Sequence, residues 1–313
     1  MNTDTDGRFT EAAMTVVMRQ VAGRIGVIHH DAHLLRLTNN AVFALPTAGL
    51  VIRITRSHEL HARVHKVARL GGWFAETDAP TIRLATGFDQ PVRVDHVLAT
   101  IWIYIPPSPR TPTVTDLGAV LREFHRLGRP SIALPAWDPV GDARSRLVDA
   151  EGLRDDDRDQ ILDWCDRLAP RIAALNERAD PGLVHGDAHV GNLLRDPAGR
   201  VLLCDFDPTC LGPWQVDLAA VPVGEARFGR AGAHAALVKA YGYDVTTDPD
   251  WPLLREAREL KMVVAAVPLL ASASGVAQEF EVRLRSVHSR DDGARWTPFA
   301  DLRRSAPGAA HKP

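Results

Sequence analysis

The side chains that could do chemistry cluster in one short segment of the sequence. It reads Leu-Val-His-Gly-Asp-Ala-His-Val-Gly-Asn-Leu-Leu over 183–194 and, after a turn, Val-Leu-Leu-Cys-Asp-Phe-Asp over 201–207. Two apolar stretches joined by a turn predict a hairpin that gathers Asp187, Asn192 and Asp205 at one end. In such a cluster one carboxylate can accept a proton from a hydroxyl, while an amide oxygen and a second carboxylate hold Mg²⁺ on a triphosphate. The segment therefore predicts phosphoryl transfer.

The spacing of these residues is more specific than their types. His-x-Asp-x-x-x-x-Asn over 185–192 is the register of the protein-kinase catalytic loop, and Asp205 takes the place of the magnesium-binding Asp of Asp-Phe-Gly. The form H-G-D-x-H-x-x-N with D-F-D resembles the aminoglycoside phosphotransferase and choline kinase-like superfamily. The resemblance implies that Asp187 is the catalytic base or orients the acceptor hydroxyl, and that Asn192 and Asp205 bind Mg²⁺. Asp207, where protein kinases have glycine, is either a second magnesium ligand or a hydrogen-bonding brace.

The resemblance extends to both sides of this segment. Gly-Pro-Trp-Gln-Val-Asp-Leu over 212–218 resembles the family's G-P-x-x-x-D-L segment, in which the aspartate, here Asp217, steadies the catalytic loop. Arg-Trp-Thr-Pro-Phe over 295–299 is shared with an actinobacterial branch of the superfamily. The upstream stretches 39–45 and 51–54 resemble the nucleotide-covering loop and third strand. The resemblance implies a protein-kinase-like fold and ATP, or GTP, as the phosphoryl donor.

The residues expected to bind the nucleotide depart from the kinase pattern. The strand-three lysine that contacts the α- and β-phosphates in kinases is Arg53 here, which keeps a positive charge and a planar fork for phosphate. No G-x-G-x-x-G loop is present, so we expect Asn40 and the backbone of 38–42 to cover the phosphates. We expect the strand that contains Trp102 and Tyr104 to meet the adenine edge through its backbone, whereas their side chains fit equally well in the core.

The acidic partner that a strand-three cation needs is not evident in the sequence. In the helix that should supply it, Glu59 is early, Glu76 is late, and Lys66 stands where an acid is expected. The partner of Arg53 is therefore left unassigned. The missing acid keeps open an alternative hypothesis, a nucleotide-binding pseudokinase or regulatory module without transfer activity.

The histidines raise a second alternative, a metal-dependent hydrolase. His-Gly-Asp-Ala-His would then ligate zinc or manganese, which requires further His or Asp ligands at matched spacing. The one other cluster is His-His-Asp-Ala-His at 29–33, next to a predicted strand. We interpret His185 as a brace for the loop, and His189 either as a solvent-facing side chain or as a contact to acceptor or phosphate.

The acceptor is not readable from the sequence beyond a small molecule with a hydroxyl, such as an aminoglycoside, an amino alcohol or a sugar. A polycationic aminoglycoside would suit an acidic pocket. The C-terminal part has acids that could form one, although solvated surfaces explain them better: Glu225, Asp244, Asp248, Asp250, Glu256 and Glu259.

Composition excludes several classes of protein. The chain has 313 residues with 37 Lys and Arg against 39 Asp and Glu, a net charge of −2 that does not favour nucleic-acid binding. Cys165, Cys204 and Cys210 form no metal-finger spacing and are expected to be reduced. The polar N-terminus lacks a signal peptide, and no apolar run is long enough to cross a membrane. We therefore expect a cytoplasmic protein, with its oligomeric state left open.

Periodicity predicts an α+β protein with two lobes. A small β-rich N-lobe is expected over 1–106, a larger and mainly helical C-lobe over 107–290, and a polar tail over 291–313. The N-lobe elements are a helix at 9–24, strands at 33–37, 41–45 and 49–54, a helix at 57–75 with Ser57 as its N-cap, and strands at 81–85 and 94–105. The C-lobe elements are a helix at 116–127 capped by Thr115, a loop at 129–141, and helices at 157–176, 231–241 and 251–273.

Overall fold

The computed structural model describes residues 9–37, 40–55, 61–148, 150–271 and 273–304. The chain divides into two compact units, each built from separate stretches. The first unit comprises the described residues up to Asp116, together with 120–134 and 190–209. The second comprises 117–119, 135–189 and the described residues from Cys210 onward. The predicted functional boundary between residues 106 and 107 stays a prediction.

A five-stranded antiparallel sheet in the order β1-β2-β3-β5-β4 organises the first unit. Its strands are β1 His33–Leu37, β2 Asn40–Leu45, β3 Leu50–Thr55, β4 Val92–Val94 and β5 Val97–Ile103. Helix α1, Glu11–Ile25, begins at Thr10, whose hydroxyl accepts a hydrogen bond from the backbone of Ala13 at 3.2 Å. Its apolar side chains pack against the sheet and form one hydrophobic core with it, because both elements must bury an apolar face.

A second apolar cluster anchors the hairpin that the motif segment forms. Strands β7, Leu193–Arg195, and β8, Val201–Leu203, pair antiparallel. Helix α2, His61–Glu76, contributes Phe74, which is fully buried. Its ring lies 4.8 Å from that of Phe206 and 5.8 Å from that of Phe124. Phe206, which lies between Asp205 and Asp207, is thereby fixed by aromatic packing.

The second unit is mainly helical and has a two-stranded sheet. Strand β6, Gly182–Val184, pairs antiparallel with β9, Cys210–Gly212. The helices of this unit are α4 Pro139–Leu147, α5 Asp155–Arg178, α6 Ala220–Phe228, α7 Ala233–Tyr241, α8 Trp251–Val264, α9 Ser274–His288 and α10 Phe299–Arg304. Helix α3, Val114–His125, contributes residues to both units.

The late Arg-Trp-x-Pro-Phe motif is part of the core of the second unit. Trp296 is 4% exposed, and the guanidinium carbons of Arg227 and Arg283 lie 4.7 and 5.2 Å from its ring centroid. Arg227 also donates to Glu259 of α8 at 2.9 Å. These cation–π contacts and the ion pair connect α6, α8 and α9 to the motif, so that α8 has a fixed position in its unit.

Two predicted strands differ from the observed ones. Residues 81–85 form only isolated bridges, Thr81 with Leu203 and Leu84 with Trp102. The predicted strand 94–105 is not continuous, because Asp95 takes a left-handed φ of 50° and turns the chain between β4 and β5; most of the predicted range is strand β5.

Several predicted helix ends also differ. Thr113 rather than Thr115 caps α3, since its side chain forms a capping box with Asp116. Residues 129–141 are not all loop, because Asp138 caps α4 and Pro139 occupies its first turn. Helix α8 ends at Val264, nine residues before the predicted end. The predicted N-cap Ser57 lies outside the described residues.

None of the helices among the described residues is long and apolar enough to span a membrane. In the part of the chain that the structure describes, Cys165, Cys204 and Cys210 form no disulfide bond.

Replacing Phe74 by alanine should lower the free energy of unfolding by about 3–5 kcal/mol, because the change opens a cavity against Phe124 and Phe206. Urea unfolding followed by circular dichroism measures this. Leu35→Ala is the control, since Leu35 is 53% exposed and its truncation should change stability by less than about 0.5 kcal/mol. Equal effects of the two substitutions would contradict the anchoring role of Phe74.

Candidate active site

The β7–β8 hairpin brings two of the predicted metal ligands to the same end. Leu193 pairs with Leu203, and the backbone N–H of Cys204 donates to the carbonyl of Asn192 at 3.0 Å. Asn192 and Asp205 therefore flank the last pair of the hairpin. Asn192 is 2% exposed, whereas the side chain of Asp205 is 33% exposed.

Asp205 has an unusual backbone conformation, and its carboxylate makes few contacts. Its φ of 69° lies in the left-handed region, which costs a non-glycine residue about 1 kcal/mol or more and concentrates at functional sites. The nearest cations, on Arg36 and Arg53, lie 3.9 Å from its oxygens. Within the described part of the chain this carboxylate accepts no hydrogen bond. It is the motif acid of the first unit that is most available for a metal ion.

Asp207 is the acidic partner of Arg53 that the sequence did not identify. One of its carboxylate oxygens, Oδ2, accepts a hydrogen bond from the guanidinium of Arg53, and the same oxygen accepts one from Asn40 Nδ2 at 3.3 Å. Arg53 lies on β3 with its side chain only 12% exposed. A guanidinium this buried needs an anionic partner. The brace interpretation of Asp207 therefore has a direct geometric basis, and its role as a metal ligand stays a prediction.

Lys66 binds the backbone of the same segment from helix α2. Its ammonium donates to the carbonyl oxygens of Asp207 at 2.6 Å and Thr209 at 2.7 Å, and the residue is 8% exposed. The helix position at which an acid was expected thus holds a cation, while the acid comes from the loop after β8. A pattern search along α2 could not find this pair, because the two residues are far apart in sequence.

Trp102 and Tyr104 lie at the end of β5 and are bound within the sheet. Trp102 is 3% exposed, and its indole N–H donates to the hydroxyl of Thr100 at 2.9 Å. The backbone N–H of Tyr104 donates to the carbonyl of Gly49 at 2.9 Å. The Trp102 side chain belongs to the core. The predicted adenine contact of this segment stays a prediction.

In the second unit, Asp217 holds the loop that follows β6. Its two carboxylate oxygens accept the backbone N–H groups of His185 at 2.7 Å and Gly186 at 2.8 Å. Gly186 has a φ of 79°, a conformation that glycine adopts without strain. The ring nitrogen Nδ1 of the fully buried His185 accepts a hydrogen bond from the backbone of Asp187 at 3.3 Å. His185 thus braces the loop, as the sequence suggested.

The carboxylate of Asp187 faces two cations from helix α8. Its Oδ1 accepts a hydrogen bond from Arg258 at 2.7 Å and lies 3.2 Å from the ammonium of Lys261. Lys261 also donates to the carbonyl of Gly186 at 2.7 Å. Oδ2 lies 3.9 Å from the His189 ring. Arg258 and Lys261 are three residues apart and share one face of α8.

These charges keep Asp187 ionised. Burial alone would raise the pKa of its carboxyl group, but the charges of Lys261 and Arg258 outweigh burial and hold that pKa well below the ordinary value of 3.8. Burial lowers the pKa of His189 to about 4, so its imidazole is neutral at physiological pH. The motif did not reveal Arg258 and Lys261, since they lie 71 or more residues along the chain from Asp187.

The predicted site residues fall in both units. The first unit contains Asn40, Arg53, Trp102, Tyr104, Asn192, Asp205 and Asp207. The second contains Asp187, five residues before Asn192 in the sequence.

The histidine cluster at 29–33 does not form a metal site. Asp31 uses its carboxylate to accept hydrogen bonds from the backbone and hydroxyl of Thr47 at 2.7 and 2.8 Å. Among the described residues no group of three or more His, Cys, Asp or Glu side chains is arranged to hold a metal ion. The hydrolase alternative therefore gains no support from the geometry.

Comparison with known proteins identifies a family. The model described as "APH: Phosphotransferase enzyme family" matches residues 36–257, a stretch that contains the whole motif segment and the 212–218 segment. No curated protein sequence matches the chain.

Solved structures share the fold. The amicoumacin kinase hAmiN, in complex with AMP-PNP, Ca²⁺ and Ami, is 14% identical with a TM-score of 0.67, covering 96% of this chain and 100% of that one. The microcompartment-associated aminopropanol kinase is 19% identical with a TM-score of 0.59, over 90% and 100%. Aminoglycoside phosphotransferase APH(3'')-Id from Streptomyces rimosus is 16% identical with a TM-score of 0.59, over 79% and 98%. At these identities the likeness establishes the fold, and it confirms the predicted kinase-like α+β class.

The Arg53–Asp207 pair can be tested by a double-mutant cycle. Asp207→Asn leaves a mostly buried guanidinium without its anionic partner, which should lower the free energy of unfolding by about 1–3 kcal/mol. Combined with Arg53→Gln, the two effects should be non-additive by about 0.5–3 kcal/mol in denaturant unfolding. Simple additivity would mean that the two side chains do not interact.

The charge state of Asp187 predicts a pH dependence of stability. Because its pKa in the folded protein is lower than in the unfolded chain, its stabilising contribution is complete above the unfolded pKa and is lost as the pH falls through the folded pKa. The stability advantage of the wild type over Asp187→Asn should therefore shrink as the pH falls below about 4. Urea unfolding across this range measures it, with Asp89→Asn at an exposed position as the control. A constant advantage would contradict the lowered pKa.

Proposed function

We propose a function on the premise that this chain belongs to the APH phosphotransferase enzyme family. Membership indicates a small-molecule phosphotransferase, that is, a kinase. The finer proposal is that the protein transfers the γ-phosphoryl group of ATP, bound with Mg²⁺, to a hydroxyl group of a small molecule. The observation that carries it is the available carboxylate of Asp205, held in a left-handed backbone conformation at the same hairpin end as Asn192.

The residues of the first unit suit a hard divalent cation. Carboxylate and amide oxygens are the donors that Mg²⁺ prefers, and Asp205 and Asn192 supply both types. Mg²⁺ prefers these oxygen donors to a soft thiol such as that of the neighbouring Cys204. When bound, Mg²⁺ neutralises charge on the phosphate groups. One similar structure, that of the amicoumacin kinase, contains AMP-PNP and Ca²⁺, which supports a nucleotide and a divalent cation.

We assign Arg53 to the nucleotide phosphates. Its side chain is oriented by Asp207, and the guanidinium has further N–H donors for phosphate oxygens. In this assignment Asp207 takes the role that an acid on the helix has in protein kinases, and Asn40 stabilises the same carboxylate. Orientation of a charged donor before the reaction contributes to catalysis because no reorganisation is needed in the transition state.

Asp187 is proposed to position the acceptor hydroxyl. A carboxylate with such a low pKa is a weak base, so early removal of the hydroxyl proton is unfavourable. Phosphoryl transfer has a loose transition state in which the nucleophile is little deprotonated, so orientation suffices until the new oxygen–phosphorus bond forms. The proton then passes to Asp187 as the bond between the γ-phosphorus and the ADP oxygen breaks. The products are ADP and a phosphate monoester.

The proposal predicts magnesium-dependent nucleotide binding and transfer. Calorimetry with ATP and GTP should show binding that strengthens with Mg²⁺ and weakens in Asp205→Ala. With an acceptor found by screening hydroxyl compounds for ADP release, Asp187→Ala should lower kcat by about 10²–10⁴-fold and leave nucleotide affinity almost unchanged. Asp89→Ala, a matched change at an exposed position, should alter neither.

Two other outcomes would contradict this proposal, the first its function and the second the role of Asp187. Nucleotide binding without transfer to any acceptor would support the pseudokinase alternative. Full activity of Asp187→Ala would contradict the role of Asp187 and move the search for the acceptor-binding carboxylate elsewhere.

A further inference from the structure

The surroundings of Asp187 carry information about the charge of the acceptor. The side chains of Arg258 and Lys261 are 16% and 27% exposed, and that of Asp187 is 26% exposed. All three are therefore accessible in part, and two positive charges face one negative charge. The other acid in contact with this loop, Asp217 of the 212–218 segment, is 1% exposed and already accepts two backbone N–H groups. An acceptor whose hydroxyl approaches Asp187 meets a cationic surface.

The acids that could favour a cationic acceptor already make hydrogen bonds or ion pairs with other residues of the second unit. Six were candidates for a pocket that would bind a polycation, and each accepts a hydrogen bond or ion pair within this unit. Glu225 accepts from the backbone of His234, Asp244 from Thr246, Asp248 from Gln215 and Tyr243, Asp250 from Arg178, Glu256 from Trp164 and Arg171, and Glu259 from Arg227 and Arg255. An ammonium group of a ligand would therefore have to compete with contacts that these carboxylates already make within the unit.

Arg258 keeps donors beyond its bond to Asp187. One guanidinium nitrogen, Nη1, donates to Asp187. The Nε–H is buried and has no hydrogen-bond partner among the described residues, although a buried N–H without an acceptor costs about 1–3 kcal/mol. Because Nε is enclosed, a ligand would meet the terminal nitrogens of the guanidinium, which bind carboxylates and phosphates well, and a neighbouring ammonium adds to the attraction.

We propose that Arg258 and Lys261 select an anionic acceptor, a small hydroxyl compound with a carboxylate or phosphate group within two or three carbon atoms of the hydroxyl. The inference rests on the proposed function, since it assumes that the hydroxyl lies at Asp187. The short separation follows from the contacts, because Arg258 and Asp187 touch and each would make one hydrogen bond of about 3 Å to the acceptor. Compounds with an ammonium group at that place are disfavoured by repulsion.

Binding of such an anion would also change Asp187. The two cations are what lowers the pKa of this carboxylate below its ordinary value. An acceptor anion that shares the guanidinium and the ammonium reduces their effect on Asp187, which raises its basicity. An anionic acceptor would thus make Asp187 a better base for the proton that it later accepts.

The test compares acceptors that differ only in charge. One set is glycerate, glycerol and 3-amino-1,2-propanediol; a second is gluconate, glucitol and glucamine. ADP release should give the highest kcat/KM for the anionic member of a set and the lowest for the cationic one. In Arg258→Gln and Lys261→Gln the advantage of the anion over the neutral compound should fall by about 10- to 100-fold, the range of one charge-assisted hydrogen bond.

Two further variants and a binding measurement keep the result interpretable. Arg258→Lys retains the charge and should keep part of the preference, while Arg285→Gln removes an exposed arginine of α9 and should change nothing. Melting temperatures show whether each variant is folded. Calorimetric titration with glycerate, gluconate and their neutral analogues does not depend on turnover. Saturable binding of the anions, weakened in Arg258→Gln, is the expected result.

The outcomes separate the two proposals. Equal or better use of the cationic compounds, or anions that bind no more tightly than their neutral analogues, would overturn the anionic acceptor and leave the kinase function intact. So would an Arg258→Gln variant that slows all three charge classes equally, since the cations would then act on the transferred phosphoryl group. Nucleotide binding without ADP release from any compound would overturn the kinase function, whereas the titration would still decide the charge preference.

Discussion

The ion pair between Arg53 and Asp207 is the interaction on which the polar arrangement of the first unit depends. A guanidinium with 12% of its side chain exposed is stable only beside an anion. Asp207 supplies that anion from the loop after β8, and Lys66 binds the carbonyl of the same residue. With Asp207 committed in this way, the neighbouring Asp205 is left with its carboxylate available. This pairing thus gives Asp207 a structural role and leaves Asp205 for the proposed metal site.

Aromatic packing makes this division possible. Phe206, between the two acids, is 1% exposed, and its ring lies 4.8 Å from Phe74 and 5.9 Å from Trp102. With that side chain fixed in the core, the residues on both sides must direct their polar groups away from it. The left-handed φ of Asp205 is a backbone cost that such a well-packed neighbour can sustain. Apolar packing around Phe206 therefore sets the geometry of the charged groups on either side of it.

In the second unit, too, core packing sets the position of charged groups, but here the cations face a partly exposed acid. Asp187 is surrounded by cations from α8, a helix that the buried Arg227–Glu259 pair and the stacking of Arg227 on Trp296 hold in place. The late motif therefore acts at a distance: it supports the helix that sets the protonation state of Asp187. In the proposed reaction this carboxylate orients a hydroxyl rather than deprotonating it early. The proposed preference for an anionic acceptor depends on the same two cations.

The sequence by itself determined the fold class, the hairpin with Asn192 and Asp205 at one end, and the bracing role of His185. These features depend on short-range spacing and on apolar periodicity, both of which are visible along the chain. Only the tertiary structure decided that Asp207 pairs with Arg53, that Lys66 binds the Asp207 segment, and that Arg258 and Lys261 face Asp187. Each of these pairs joins residues more than 70 positions apart, and charges pair according to distance in space and burial. No local pattern records which distant charge a buried side chain will meet.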